Sequence, residues 1–132
     1  LATLTGAAPH DLERDPGAAA AAAGVLIGKG VDAVLVTLGA AGGVLVTAEG
    51  AWHAPAPPTS VVSTVGAGDS SLFGYLLGAE RRLPPPDALA LAVAYGSAAA
   101  GLPGTTIPRP DEVDAGAVRP VPLAAPAVPA QN

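Results

Sequence analysis

The chain lacks cysteine and methionine altogether, and its 132 residues include only one Trp, two Tyr and one Phe. Without cysteine there is no disulfide framework, no thiolate nucleophile and no cysteine-based zinc site, and a reducing cytosol is compatible with the composition. With so few aromatics, the core has to be built from Ala, Val and Leu at short backbone separations. Basic residues are scarce too: six against eleven acidic ones, a net charge of −5, and no basic cluster larger than the Arg81-Arg82 pair. That balance excludes nucleic acid as a natural partner. Long hydrophobic runs are also missing. The most apolar stretch, Gly17 to Gly28, stops at Lys29, short of the roughly 20 residues a membrane span needs, and no signal-peptide n-region is expected ahead of it.

What is present fits one globular domain: half the residues are hydrophobic and the mean hydropathy is +0.46. The chain opens in mid-pattern at Leu1-Ala2-Thr3-Leu4-Thr5-Gly6 with no initiator Met. This reads as the end of a helix that starts upstream, so a fragment is expected. Residues Asp11 to Gly30 predict a helix with Asp15 as N-cap and Pro16 in its first turn. Ala33 to Leu38 is a continuous apolar run bounded by glycines, the pattern of a strand buried on both faces. Gly39 to Gly43 turns the chain into a strand at Val44 to Thr47, and Glu49-Gly50 leads to another around Ala51 to Ala54. Pro55, Pro57 and Pro58 impose an extended approach to Val61-Val62.

The chemistry of the chain concentrates in Ser63-Thr64-Val65-Gly66-Ala67-Gly68-Asp69-Ser70-Ser71-Leu72-Phe73-Gly74-Tyr75-Leu76. Two glycines flank Ala67 just before a predicted helix from Ala67 to about Arg82, so backbone N–H groups and the positive end of the helix dipole form an anion site. Asp69 is out of place there unless it takes a proton while the amides hold developing negative charge. On that helix, Leu72, Tyr75, Leu76 and Ala79 form the expected apolar face. Pro84-Pro85-Pro86 ends it, and Ala88 to Ala100 predicts a buried helix. After a loop from Gly101 to Pro110 and one turn at Asp111 to Val113, residues 118–132 carry four prolines without periodicity and are expected to be a disordered tail. The element order indicates α/β layers with the glycine loop at a strand-to-helix passage, where open α/β sheets bind ligands.

The run Ser63-Thr64-Val65-Gly66-Ala67-Gly68-Asp69, followed by Gly74-Tyr75-Leu76, resembles the second signature of the ribokinase-like (PfkB) sugar kinases. Three segments agree in order and spacing: Leu4-Thr5-Gly6, similar to the end of the helix after that family's Asn-x-x-Glu motif; Thr37-Leu38-Gly39-Ala40-Ala41-Gly42, similar to its nucleotide loop; and Gly96-Ser97-Ala98, near its purine site. The likeness runs to about Val113. It implies the C-terminal part of a three-layer α/β/α fold with an incomplete sheet, residues 1–117 forming the kinase portion. Within the family, Ser63 to Ser70 and the Gly101 to Pro110 segment are most similar to the 1-phosphofructokinase branch. The implied reaction is transfer from ATP to fructose 1-phosphate, in the cytoplasm. Asp69 would be the base, and the amides of Gly66, Ala67 and Gly68 the anion hole. Thr37, Gly39, Gly42, Gly68 and Ser97 would hold the nucleotide, with Ala98 beside the adenine and Mg²⁺ bridging the phosphates.

Two positions depart from the family pattern. Ser63 stands where many relatives carry Asp at a monovalent-cation site, which puts potassium activation in question. Phe73 replaces a small residue, implying altered helix packing or a weakened site. The family's N-terminal portion, with its sugar-binding residues, lid and Asn-x-x-Glu motif, is not among these residues. A homodimer or a separate N-terminal half are the partners this implies. Each motif also has a plainer explanation. Asp at a helix start caps it, and Gly39 to Gly43 suits a simple hairpin. His10 and His53 lack a second ligand at metal spacing and suit a surface or strand edge. Trp52 suits packing. Asp111, Glu112 and Asp114 suit a solvated face, Arg109 a solvated loop, and Ser70 and Ser71 have no His partner. The alternatives to a fructose 1-phosphate kinase are a non-catalytic nucleotide-binding or assembly remnant, or a ribokinase-like enzyme acting on tagatose 6-phosphate, ribose or a nucleoside.

Overall fold

The computed structural model describes residues 15–58, 61–63, 65–103 and 108–123. The expectations for Leu4-Thr5-Gly6, His10, Thr64 and the end of the tail lie outside the described residues. Helix α1 spans Pro16–Gly28. Asp15 caps it as its composition suggests, with Oδ1 accepting from the Gly17 N–H at 2.9 Å, and Pro16 occupies the first turn, where the missing N–H costs nothing.

Strands β1 (Ala33–Thr37), β2 (Gly43–Thr47), β3 (Gly50–Ala54) and β4 (Val121–Leu123) form one sheet in the order β1-β2-β3-β4, every ladder antiparallel. The first two hairpins follow from their turns. A 3₁₀ turn at Gly39–Ala41 joins β1 to β2 with Thr37 opposite Gly43, and the Ala48-Glu49 turn sets Thr47 opposite Gly50. Helices α2 (Ala67–Glu80) and α3 (Pro85–Ala100) complete the described core elements.

Alternation along β2 assigns the layers. Val44 and Val46 pack with Ala19, Ala20, Ala23 and Ile27 of α1 on one face, whereas Leu45 packs with Leu89, Ala90, Val93 and Ala94 of α3 on the other. The result is a helix–sheet–helix sandwich, with α2 lying against α3. This agrees with a partial α/β/α domain.

Three expectations are corrected. Ala33 to Leu38 is not a strand buried on both faces: β1 is half-buried because it lies at one edge of the described sheet, with β2 as its described neighbour. On α2, Leu72 and Leu76 are 50% and 55% exposed and Ala79 is also exposed, while the buried residues are Ser70, Ser71, Gly74 and Gly78. Of the expected face only Tyr75 is half-buried against the core, because close backbone approach, not apolar area, decides this contact. A Cβ on Gly74 would lie 2.7 Å from the Leu91 carbonyl oxygen, and one on Gly78 would lie 3.0 Å from Ala88 Cα. Within the stretch expected to be disordered, Val118 is buried and Val121–Leu123 pairs with β3. An edge ladder supplies its order without periodicity, and Pro122 is tolerated on an edge strand, which leaves one side free of ladder bonds.

Candidate functional site

The strand end, the glycine loop and the α3 face meet around a cavity of about 580 Å³. Thr37, Gly39 and Gly42 line it from the β1–β2 connection, Ala67, Gly68 and Ser71 from the start of α2, and Val93, Gly96, Ser97 and Ala100 from α3. Ala56, Pro57, Pro58 and Val61 close it from the extended proline segment. The described lining carries no charged side chain, so its polar groups are backbone amides and hydroxyls.

The β1–β2 connection is shaped by its own backbone. The Leu38 N–H donates to the Gly42 carbonyl at 2.8 Å, the Ala41 N–H to Leu38 at 3.1 Å and the Gly42 N–H to Gly39 at 3.0 Å. Gly39 and Gly42 take φ of 58° and 91°. At Gly42 glycine is obligatory for a second reason, since a Cβ would run into the Ala54 carbonyl and come within 2.7 Å of the Ala56 nitrogen. The segment is therefore both the hairpin turn that composition suggests and a wall of the cavity.

The approach to α2 is held by Val62 and Ser63, whose N–H groups both donate to the carbonyl of the lining residue Ala100, at 2.8 and 3.1 Å. Ser63 Oγ accepts from the Val65 N–H at 3.2 Å, drawing the chain into the turn. Gly66 follows in the left-handed region at φ 80°, as the N-cap of α2, with no side-chain capping bond. The first helical bond runs from Ser70 N–H to the Gly66 carbonyl at 3.0 Å. The N–H groups of Ala67, Gly68 and Asp69 therefore precede the intrahelical ladder, at the positive end of a 14-residue helix. Gly68 differs from Gly42: its φ is ordinary, and a Cβ there would meet nothing within 4 Å.

Asp69 sits in the first turn of α2, exposed, adjoining the lining residue Gly68 but not itself part of the lining. It does not cap the helix, and its carboxylate has no hydrogen-bond or ion-pair partner among the described residues. Ser97 lines both this cavity and a neighbouring hollow of about 230 Å³, which Ala98, Gly101, Leu102, Glu112 and Asp114 also line. Thus Thr37, Gly39, Gly42, Ala67, Gly68 and Ser97 converge on one cavity, with Gly66 and Asp69 beside it.

Nothing in the sequence marks Ser71, Val93, Ala100 and the Ala56–Pro58 wall as lining residues, and Gly96 is named there only within the Gly96-Ser97-Ala98 resemblance. Gly96 carries the one usable signal, an interruption in an alanine-rich helix. A Cβ there would collide with Ser71 Oγ, so the glycine lets the two helices close behind the cavity. Phe73 is 48% exposed and stacks edge-on against Tyr95, ring centroids 5.2 Å apart, so its bulk falls outside the cavity lining. Arg109 is engaged locally with Asp111 at 3.5 Å and Glu112 at 3.2 Å. Trp52 is half-buried against the core. His53 is more than an edge residue, because its Nε2 is 2.8 Å from the Ala41 carbonyl oxygen. No described helix is long and apolar enough to cross a membrane.

Residues 1–112 match the model of the pfkB family of carbohydrate kinases. A 1-phosphofructokinase from Haloferax volcanii is 41% identical over 92 residues, which are 70% of this chain and 30% of that protein. Among solved structures, phosphofructokinase-2 from Escherichia coli in complex with potassium superposes with a TM-score of 0.70 at 31% identity, over 74% of this chain and 32% of that one. An aminoimidazole riboside kinase from Salmonella enterica, complexed with aminoimidazole riboside and an ATP analog, gives 0.56 at 39% identity, over 61% and 30%. The chain thus spans about a third of the length of these relatives.

Proposed function

The chain belongs to the pfkB family of carbohydrate kinases, and from that premise we propose that the 580 Å³ cavity is the ATP site of a sugar-phosphate kinase acting on fructose 1-phosphate. Gly68 carries this reading. Glycine is disfavoured in a helix relative to alanine, by up to about 1 kcal/mol in its interior, and here in the first turn neither φ nor packing requires it. Gly68 lines the cavity with open space at its Cα, beside amides that precede the helical ladder, which suits close approach of a phosphate.

In this reading Asp69 accepts the proton of the sugar's 6-hydroxyl as that oxygen bonds to the γ-phosphorus, and ADP leaves with the bridging oxygen. The amides of Gly66, Ala67 and Gly68 stabilise the charge spread over the transferring group. Thr37, Gly39 and Gly42 hold the nucleotide from the hairpin side, and Ser97 with Ala98 borders the base. Mg²⁺, when bound, would supply charge neutralisation at the ATP phosphates. No cluster of three or more His, Asp or Glu suited to a metal occurs among the described residues, so the ion's oxygen ligands would come mainly from phosphate and water. The kinase portion is taken as residues 1–117, with β4 added to it by its pairing. Cytoplasmic location belongs to the same reading, and Ser63, engaged in a local turn where many relatives carry Asp, leaves potassium activation in question.

One observation favours a second reading. Because the chain spans about 30% of its relatives, it also suits a nucleotide-binding piece that acts only with a further polypeptide or in a dimer. Phosphorylation of fructose 1-phosphate, followed by release of ADP, separates the two readings: turnover supports the first, and ATP binding without turnover the second. Where turnover occurs, Asp69→Asn lowers kcat by about 10²- to 10⁴-fold, the usual loss of a general base, with KM for ATP little changed. A change of only a few-fold would remove Asp69 from that role.

A further inference from the structure

We propose that His53 is a positioning residue for the nucleotide, acting through the carbonyl of Ala41. The proposal rests on the reading of the cavity as an ATP site. His53 lies on β3 opposite Val44, one residue in from the Gly43–Ala54 pair at the end of the β2–β3 ladder that adjoins the loop. Its Nε2 reaches across to the Ala41 carbonyl oxygen at 2.8 Å, a part-buried contact between residues 12 apart in the chain. A carbonyl can only accept, so the ring carries its proton on Nε2.

The remainder of the loop is held by other means. Leu38 and Gly42 are tied to each other by the 2.8 Å backbone bond, and Gly42 is wedged against Ala54, Pro55 and Ala56. Those restraints fix the two ends. Ala41 stands between Gly39 and Gly42, both of which line the cavity, and His53 fixes the direction of its peptide plane. Rotation of that plane would turn the Gly42 N–H away from Gly39 and re-aim the wall. His53 is not among the cavity-lining residues, so its effect on the ligand is indirect. The interaction links the third strand to the first hairpin through the Ala41–Gly42 peptide, adding a second anchor on its carbonyl side to the Gly42 N–H bond on the other.

The test compares His53→Leu, which cannot donate, with His53→Gln, whose side-chain amide nitrogen reaches a similar distance from Cβ. Binding of Mg²⁺-ATP is followed by calorimetry and amide hydrogen exchange by NMR in the chain without ligand. The expected result is about three- to tenfold weaker binding by His53→Leu, the worth of one net hydrogen bond. Faster exchange should be confined to the Leu38, Ala41 and Gly42 amides, α3 should be unchanged, and His53→Gln should recover both properties. Wild-type binding with no loss in His53→Leu and no change in loop exchange overturns the proposal. Failure of the wild type to bind ATP overturns the nucleotide reading instead, while the exchange pattern still decides whether His53 orders the loop. Should His53→Leu not fold, His53→Thr, suited to a strand and too short to reach Ala41, replaces it.

Discussion

Two glycine turns line the cavity, and they hold glycine for different reasons. At Gly42 the protein itself forbids a side chain: φ is 91° and the neighbouring Ala54–Ala56 backbone fills the space. At Gly68 the backbone is ordinary and the space is open. The first turn is explained by the fold alone. The second acquires a reason only when something outside the chain occupies the cavity, and this difference separates a structural glycine from a ligand-dictated one.

Four substitutions test that contrast. Gly42→Ala has the largest expected effect, about 3 kcal/mol of lost stability in urea unfolding, because strain and a backbone collision act together. Stability near wild type would break the contrast. Gly74→Ala acts as a control away from the cavity, since its Cβ would press on the Leu91 carbonyl at 2.7 Å and Tyr95 Cδ2 at 2.9 Å. A loss of about 2 kcal/mol is expected, with ATP affinity little affected in the folded fraction. Gly68→Ala should show opposite signs in two assays. Helix propensity raises stability by about 0.5–1 kcal/mol, while the added methyl weakens ATP binding. Unchanged ATP affinity would remove Gly68 from the site. The smallest effect belongs to Arg82→Gly, just beyond α2, where a non-glycine residue adopts φ 56°. Relief of left-handed strain of roughly 1–2 kcal/mol is partly offset by added unfolded-state entropy, leaving a gain of a few tenths of a kcal/mol in the melting analysis and no change in nucleotide binding.

Local signals were the legible ones. Asp15 and Pro16 mark a helix start because capping depends on two or three neighbouring residues. The Gly66 to Asp69 motif marks its own turn for the same reason. The α/β layering was readable from alternating apolar runs. What composition could not reveal depends on distant partners. Leu72 and Leu76 read as core by hydrophobicity, yet α3 meets Gly74 and Gly78, because backbone clearance between helices leaves no trace in periodicity. Val121 to Leu123 reads as tail, yet finds order by pairing with a strand about 70 residues earlier, a long-range contact of the kind that overrides local propensity. His53, alone and without a metal-ligand partner at suitable spacing, looks idle until the loop it holds is seen across the hairpin. Gly96 and Ser71 likewise become meaningful as a pair only after α2 and α3 are packed.

The most direct measurement of the central claim is an NMR titration of the ¹⁵N-labelled chain with Mg²⁺-ATP. The account predicts saturable shifts concentrated at the amides of Gly39, Gly42, Ala67, Gly68 and Ser97, the two turns responding together while the α1 amides stay in place. Saturation with ATP that leaves the Ala67 and Gly68 amides unmoved would contradict it.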